Sequence, residues 1–230
     1  MLTDTRNPSR FARTGMCAAV LTTVAAAILV PTTASASTGT ALDFAAERAA
    51  RASMTDGGIS PTTQDQLIAK LRSGVLPDSS LGGEPVNVFT ETHDDSIRTV
   101  QDYADGSRRW IDIQRPTTEG NKTRAGLDNC SSSGGWVNNC RVWIADAVSS
   151  ARFDIDYQPS SSGQAKVRDY RSATCGSIVG GCSVSGGIQR ATQSSSGPAW
   201  AQLDYTAQIA WGEVHGSFGI RVSGNSVSVY

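Results

Sequence analysis

The second half of the chain repeats a single pattern, in which apolar and polar side chains alternate over short runs divided by Gly, Ser and Asn. In one run Phe153, Ile155 and Tyr157 alternate with charged or polar residues, and Leu203 and Tyr205 do the same in another. A period of two predicts a strand with one buried face and one face toward water. Such runs cover residues 136–145, 151–157, 165–170, 183–192, 199–209, 213–222 and 226–230. About seven strands in about 100 residues predict an antiparallel β-sandwich over residues 130–230, with a barrel as the alternative.

Residues 1–36 have the three-part layout of a secretory signal peptide. Three arginines precede an almost wholly apolar run over residues 18–30, and Ala34-Ser35-Ala36 supplies the small residues of a cleavage site. The run is shorter than the roughly 20 apolar residues that a membrane span needs. We therefore expect cleavage after Ala36 and a secreted, extracellular protein, with an uncleaved anchor as the alternative.

The cysteines predict two disulfide bonds. Cys17 would leave with the leader, and Cys130, Cys140, Cys175 and Cys182 would remain. An even number of cysteines in an exported chain indicates a bonded framework, because thiols oxidise outside the cell. Of the three pairings that four cysteines allow, the short separations favour Cys130–Cys140 and Cys175–Cys182. Zinc is the less favoured alternative, since no C-x-x-C spacing is present.

The charge of the chain favours neither nucleic acid nor membrane as a partner. It holds 20 basic and 21 acidic residues, of which residues 1–36 contain three and one. Removal of the leader would leave 17 basic and 20 acidic residues, a net charge of −3. A nucleic-acid-binding protein needs a clustered basic surface, and no later segment is apolar enough to cross a membrane. We therefore expect neither partner once the leader is cleaved.

Residues 37–81 form a predicted helical segment. Thr40 is a candidate N-cap for a helix over residues 41–53. Ser60 is a second candidate N-cap, and Pro61 after it suits the first position of a helix. The apolar faces of both helices are small, so a helical pair that covers another part of the fold is predicted.

Residues 82–116 form a predicted β-hairpin region. Alternating runs flank an Asp105-Gly106 pair, which is a strong signal for a tight turn between antiparallel strands. Residues 117–129, rich in Thr, Gly, Asn and Lys, are typical of a linker. The linker would separate the hairpin region from the disulfide-bonded sandwich domain at 130–230.

The sequence contains no recognisable catalytic, cofactor or metal site. His93 lies among acidic residues, and His215 shares a predicted strand face with Glu213, but each is more typical of a solvated surface. Asp154 and Asp156 share a strand face that the alternation predicts to be wet, which disfavours a paired-carboxylate glycosidase. G-x-S-x-G, phosphate-loop and dinucleotide motifs are absent. No catalytic residue, metal or cofactor is therefore assigned.

Two tryptophans are candidate ligand-binding residues. Trp143 and Trp200 alternate with aliphatic neighbours, so both indoles would face outward if the aliphatic side chains face the core. An exposed aromatic row on a sandwich can stack on sugar rings or on a partner protein. The alternative is that these indoles are core anchors and their small neighbours face water. The tryptophans of this region are Trp136, Trp143, Trp200 and Trp211.

Several short motifs resemble those of exported actinobacterial proteins of unknown function. They are the helical stretches at 59–64 and 70–74, Tyr103-Ala104-Asp105-Gly106-Ser107 in the hairpin, and Cys140-Arg141-Val142 after Trp136. The resemblance covers most of the mature chain and implies neither an activity nor any catalytic residue.

The sequence thus predicts a secreted binding or cell-envelope-associated module without an identifiable catalytic site. The expected partner is cell-wall carbohydrate or another extracellular protein. One alternative is a secreted hydrolase whose site the motifs do not show. Another is a secreted antagonist or inhibitor, released by cleavage near Lys122 or Arg124 in the linker.

Overall fold

The computed structural model of the chain describes residues 42–116, 130–161, 164–210 and 212–230. The predicted leader (1–36), the candidate cap Thr40, the predicted linker (117–129) and Trp211 lie outside the described residues. Within the described ranges, no helix combines the length and the apolar character needed to cross a bilayer.

Two helices precede the strands. The first, α1 (Phe44–Asp56), is capped by Asp43, whose carboxylate accepts a hydrogen bond from the backbone N–H of Ala46 at 2.7 Å. The predicted start at residue 41 was wrong, because Asp43 has an extended backbone and caps the helix, which begins at Phe44. The second, α2 (Pro61–Arg72), confirms the predicted Ser60 cap, whose hydroxyl accepts from the N–H of Thr63 at 3.3 Å. A short 3₁₀ helix follows at Asp78–Ser80.

Eleven strands form two antiparallel sheets in the described residues. The larger sheet has the order β1-β2-β3-β5-β6-β7 with β4 paired to β5, and the smaller has the order β11-β10-β9-β8. The strands are β1 Asn87–Thr92, β2 Ser96–Asp102, β3 Arg108–Gln114, β4 Ser131–Ser133, β5 Trp136–Ala145, β6 Ser149–Gln158, β7 Lys166–Ser177, β8 Cys182–Arg190, β9 Ala199–Ile209, β10 Gly212–Ser223 and β11 Ser226–Val229.

The two sheets pack face to face, which confirms the predicted β-sandwich behind two helices and a hairpin. Val142, Phe153, Leu203 and Ile220 point inward and are fully buried. The rings of Phe153 and Phe218, which come from different sheets, lie 5.5 Å apart between centroids. Burial of each such side chain contributes about 1.5–3 kcal/mol, so this layer is the main source of stability.

The larger sheet crosses the predicted boundary between the hairpin region and the C-terminal domain. Strand β3 pairs with β5, where Ile111 lies opposite Ile144 and Ile113 lies opposite Val142. The sandwich therefore includes strands from residues 82–116 as well as from 130–230. Alternation within single strands contains no information about pairing between distant strands, so the sequence did not predict this ladder.

Both predicted disulfide bonds are confirmed. Cys130–Cys140 is buried and links the segment before β4 to β5, and Cys175–Cys182 links β7 of the larger sheet to β8 of the smaller one. Each bond closes a short loop, for which about 2–3 kcal/mol of stabilisation is typical. The second bond ties the two sheets together at the point where the chain crosses between them.

The end of α1 covers part of the outer face of the larger sheet. Trp110 of β3 lies under Gly57, where a Cβ atom would overlap the indole ring. Next to it, Arg98 donates to both carboxylate oxygens of the fully buried Asp112 and to the backbone carbonyl of Asp56 at 2.8 Å. Both faces of β3 are buried for this reason, and the end of α1 forms a wall beside the uncovered part of the sheet.

The β2–β3 turn is joined to the helices by Asp105. Its carboxylate accepts hydrogen bonds from Lys70 of α2 at 2.8 Å, from the backbone N–H of Asp78 at 2.9 Å and from Ser107. Burial by itself would raise the pKa of Asp105, but these donors lower it to about 2. The Asp105 carboxylate therefore stabilises the fold only while it is ionised.

We expect the Asp105→Asn variant to be destabilised at neutral pH but hardly at all near pH 2. Since the folded pKa of Asp105 lies below the usual value of about 3.9, its contribution is complete above about pH 5 and is lost as the pH falls toward 2. Because solvent screens part of these interactions, we expect about 1–2 kcal/mol at pH 7. Urea denaturation of this variant and of Asp94→Asn, in an exposed turn, measures the effect. An equal loss at pH 2 and pH 7 would contradict the account.

Candidate functional site

A groove of about 840 Å³ lies on the outer face of the larger sheet. Its floor consists of outward-facing side chains of β2, β5, β6 and β7, and the end of α1 contributes Asp56 to its rim. Its lining includes the charged and aromatic residues Arg98, Arg141, Trp143, Arg152, His93 and Asp56. The groove is thus built mainly on strands, which hold side chains more rigidly than loops do.

One row of outward-facing side chains crosses five strands in register. It consists of Arg98, Asp112, Trp143, Arg152 and Thr174, on β2, β3, β5, β6 and β7 respectively. The half-buried Trp143 indole lies at the centre of this row. Opposite residues on neighbouring strands have Cβ atoms about 4.5–5.5 Å apart. One ligand can therefore contact the indole and the Arg152 guanidinium together.

Trp143 and Trp200 both face outward, but on different sheets. Val142 and Ile144 beside Trp143 are buried in the core, as are Ala199 and Ala201 beside Trp200. The outer faces of a sandwich point away from each other, so these two indoles cannot form one continuous row. Binding of a ligand by either indole stays a prediction.

Trp136 is the tryptophan that shares a face and a strand with Trp143. Strict alternation along β5 would place Trp136 on the inner face. The pairing of β5 with β6 shifts between Val137 and Cys140, and Asn139 in this bulge has a φ of 58°. The extra residue reverses the phase of the alternation, which is why the sequence pattern did not group Trp136 with Trp143.

The arginines of the groove differ in how far their charges are neutralised. Arg98 is paired with Asp112, and the Arg141 Nε lies 3.3 Å from an oxygen of Asp154. The exposed Arg152 forms no ion pair with any residue in the described ranges. Arg152 is therefore the cation of this groove best placed to bind a ligand.

Next to the groove, Asp156 is buried, although the alternation predicted a wet face there. It shares the outer face with Asp154 as predicted, but it is only 6% exposed. Its carboxylate lies 2.9 Å from Arg171 Nη2 and 3.4 Å from Arg168 Nε, and it accepts from the N–H of Asn139 at 2.8 Å. Burial would raise the pKa of Asp156, but these donors lower it overall. The two guanidinium groups cover the carboxylate, which is why the face is not wet.

Strand β7 follows a period of three in this region because it contains two bulges. Asp169 and Ser172 have φ angles of 53° and 56°, in the left-handed region that favours glycine. The extra residue at Asp169 lets Arg168 and Arg171 share the outer face, and the extra residue at Ser172 adds Thr174 to it. Tyr170 between them points inward and stacks on Phe153, with 4.8 Å between ring centroids. The loss of alternation explains why the predicted strand ended at residue 170.

The smaller sheet has a second, shallower cavity of about 470 Å³. Here His215 Nδ1 lies 3.0 Å from the Thr206 hydroxyl, and its Nε2 lies 3.4 Å from a carboxylate oxygen of Glu213. The His215 and Glu213 side chains are 67% and 50% exposed, so water competes for these contacts. This arrangement matches a surface contact better than an activated hydroxyl.

His93 lies at the rim of the larger groove with Asp95 and Ser96. Its Nε2 is 3.4 Å from a Glu91 oxygen, whereas the Ser96 hydroxyl is directed at Asp95 at 3.3 Å. The His93 backbone N–H donates to the Ser96 carbonyl at 2.9 Å, but no described contact joins the Ser96 hydroxyl to the His93 ring, so the three residues do not form a nucleophile and its base. Among the residues that the structure describes, no group of three or more His, Cys, Asp or Glu could hold a metal ion.

Comparison of the chain with protein-family models, with curated proteins and with solved structures found no match. The assignment of a site therefore depends on geometry, burial and charge. By these criteria the candidate site is the groove around Trp143.

We expect the Ser172→Gly variant to be more stable than the unmodified protein. A left-handed backbone costs a non-glycine residue about 1 kcal/mol, and the exposed Ser172 side chain makes no hydrogen bond with a described residue. Relief of this strain should raise the free energy of unfolding by about 0.5–1 kcal/mol. In the control variant Ser183→Gly, an exposed position in β8, glycine should instead cost about 0.5–1 kcal/mol. Equal destabilisation of both variants in urea would show that β7 is unstrained.

Proposed function

We propose that this protein is a secreted binding module that holds cell-wall carbohydrate in the groove around Trp143. The observation that carries the proposal is a half-exposed indole at the centre of a concave, strand-built surface, with arginines on either side. Ligand sites in proteins are typically concave and combine an apolar platform with a few convergent polar groups. The groove has both features.

The Trp143 indole supplies the platform. An indole combines a large apolar face with low conformational freedom, so it gains contact area with a flat sugar ring at a small entropic cost. Its orientation is set by Val142 and Ile144, which are locked into the core on either side. The platform is therefore in place before a ligand arrives.

The neighbouring side chains supply the polar contacts. Arg152 and Thr174 lie in register beside Trp143, and Arg141 lies on the same strand two residues away. Guanidinium groups donate up to five hydrogen bonds and a threonine hydroxyl both donates and accepts, which suits the many hydroxyl groups of a carbohydrate.

A location outside the cell is consistent with the two disulfide bonds, since such bonds persist in oxidising compartments. The signal peptide over residues 1–36 and the resemblance to exported actinobacterial proteins belong to this proposal.

Release of an inhibitor by cleavage near Lys122 or Arg124 is less well supported. The paired strands β3 and β5 lie on either side of this segment. Such a cut would leave both pieces joined through one sheet and one core, so release would also require the ladder between them to break.

Retention on purified actinobacterial cell wall tests the proposal. We expect Trp143→Ala to weaken retention about tenfold, since a buried aromatic contact is worth roughly 1–2 kcal/mol in binding. Trp200→Ala is the matched control, because it removes an outward-facing indole from the other sheet and should leave retention unchanged. Equal retention of Trp143→Ala and the unmodified protein, or loss only in Trp200→Ala, would contradict the proposal.

A further inference from the structure

We propose that Arg168 and Arg171 form an oxyanion-binding subsite next to the groove, so that the ligand is an acidic rather than a neutral polysaccharide. This inference rests on the proposed function, since it names the ligand class of the same face. The subsite lies on the outer face of β7 and is supported from below by Asp156.

The outer face of β5–β7 carries an excess of positive charge. It holds five cations against three carboxylates, although the whole chain has a net charge of −1. A local surplus of two positive charges on a nearly neutral chain favours an anionic ligand. The cations are Arg141, Arg152, Lys166, Arg168 and Arg171, and the carboxylates are Asp154, Asp156 and Asp169.

The two arginines lie close enough to the groove for one ligand to reach both. Arg171 is in register with Asp154, which in turn pairs with Arg141 of the groove. This row is next to the row that contains Trp143, and successive outward residues on a strand are about 7 Å apart. Arg168 lies one further step along β7, in register with Asp156. A ligand that extends from Trp143 in this direction would pass over both guanidinium groups.

Both guanidinium groups are held in place and retain free donors. Asp156 contacts Arg168 and Arg171 together, and Asp169, whose side chain is 62% exposed, lies 3.3 Å from Arg168 Nε. Within the described residues, Arg168 Nη1 and Arg171 Nε donate no hydrogen bond. A preorganised guanidinium loses little freedom when it binds an oxyanion, and such charge-assisted hydrogen bonds are strong.

Arg168 is held further by Trp136. Its guanidinium carbon lies 3.9 Å from the centroid of the indole ring. The Arg168 side chain is nevertheless 48% exposed, so its outer surface is available to a ligand. Trp136 therefore positions a cation, whereas Trp143 offers its ring to a sugar.

The backbone strain of β5 and β7 is concentrated at this cluster. The three described non-glycine residues with left-handed φ angles are Asn139, Asp169 and Ser172, and Asn139 contacts Asp156 directly. The bulge at Asp169 places both arginines on one face, and the bulge at Ser172 places Thr174 there as well. Strain of this kind is concentrated at binding sites and persists only where the surroundings impose it.

Calorimetry with oligogalacturonate and with its methyl ester tests the subsite. The two ligands share the same sugar chain, but the ester lacks the negative charges. We expect the unmodified protein to bind the acid form at least tenfold more tightly than the ester. The Arg168→Gln variant should lose about tenfold in affinity for the acid form and nothing for the ester.

Arg221→Gln is the matched control, because Arg221 is an exposed arginine whose guanidinium carbon lies 3.9 Å from the Tyr230 ring centroid on the other sheet. It should bind both ligands like the unmodified protein. Equal affinity for acid and ester, equal losses in the two arginine variants, or binding of neither ligand would overturn the subsite.

Two further measurements complete the test of the subsite. If Arg168→Gln unfolds, the salt dependence of the unmodified protein replaces it: a rise from about 0.05 M to about 0.5 M salt should weaken binding of the acid form and not of the ester. No salt effect would overturn the subsite. Dextran sulfate shows whether the subsite requires a carboxylate. Binding of dextran sulfate that depends on Arg168 indicates that the subsite accepts any oxyanion, and a preference for oligogalacturonate indicates that it selects a carboxylate. Both results support the subsite.

The Trp143→Ala variant separates this inference from the proposed function. It should weaken binding of acid and ester alike, because both present sugar rings. A Trp143 effect without an Arg168 effect would overturn the subsite alone. Unchanged binding of both ligands by Trp143→Ala would instead overturn the groove as the carbohydrate site.

Discussion

Burial of the inner face of every long strand is the constraint on which the rest of the structure depends. Because the aliphatic side chains of β5, β6, β9 and β10 must meet between the sheets, the residues beside them are forced outward. Each sheet then has one face that a ligand can reach. The face of the larger sheet combines a wall from α1, a central indole and a surplus of cations. On the smaller sheet, the half-buried Trp200 packs near Tyr230, with ring centroids 6.4 Å apart. The division into two outer faces thus determines which side chains can act together.

The two bulges of β7 change which of its side chains reach the outer face of the larger sheet. In a regular β7, Arg168 and Arg171 would point to opposite faces, and one guanidinium would enter the core. The bulge at Asp169, between the two arginines, brings both to the surface, where Asp156 holds them, and the bulge at Ser172 adds Thr174 to the same face. The strain and the buried carboxylate are therefore two parts of one arrangement: the bulges supply the cations, and the ion pairs hold the bulges in place.

Local patterns predicted the local features well. Period-two alternation predicted most strands of the sandwich, the Ser60-Pro61 pair predicted the start of α2, and short separations predicted both disulfide bonds. The features that were missed depend on non-local contacts or on broken periodicity. The pairing of β3 with β5 joins segments far apart in sequence, and the burial of Asp156 depends on arginines that only bulges bring to its face. The stretch from 168 to 174, where the polar residues Arg168, Arg171 and Thr174 recur every third residue within an otherwise alternating domain, is the signal that could have indicated those bulges.

The central claim is that the ligand contacts the outer face of the larger sheet and not that of the smaller one. Nuclear magnetic resonance of the indole N–H groups during titration with oligogalacturonate tests this claim most directly, because each tryptophan reports on its own location. The account predicts that the Trp143 signal shifts most, that Trp136 shifts because the ligand binds the Arg168 guanidinium over its ring, and that Trp200 stays unchanged. A shift confined to Trp200, or no shift at Trp143 under saturating ligand, would contradict it.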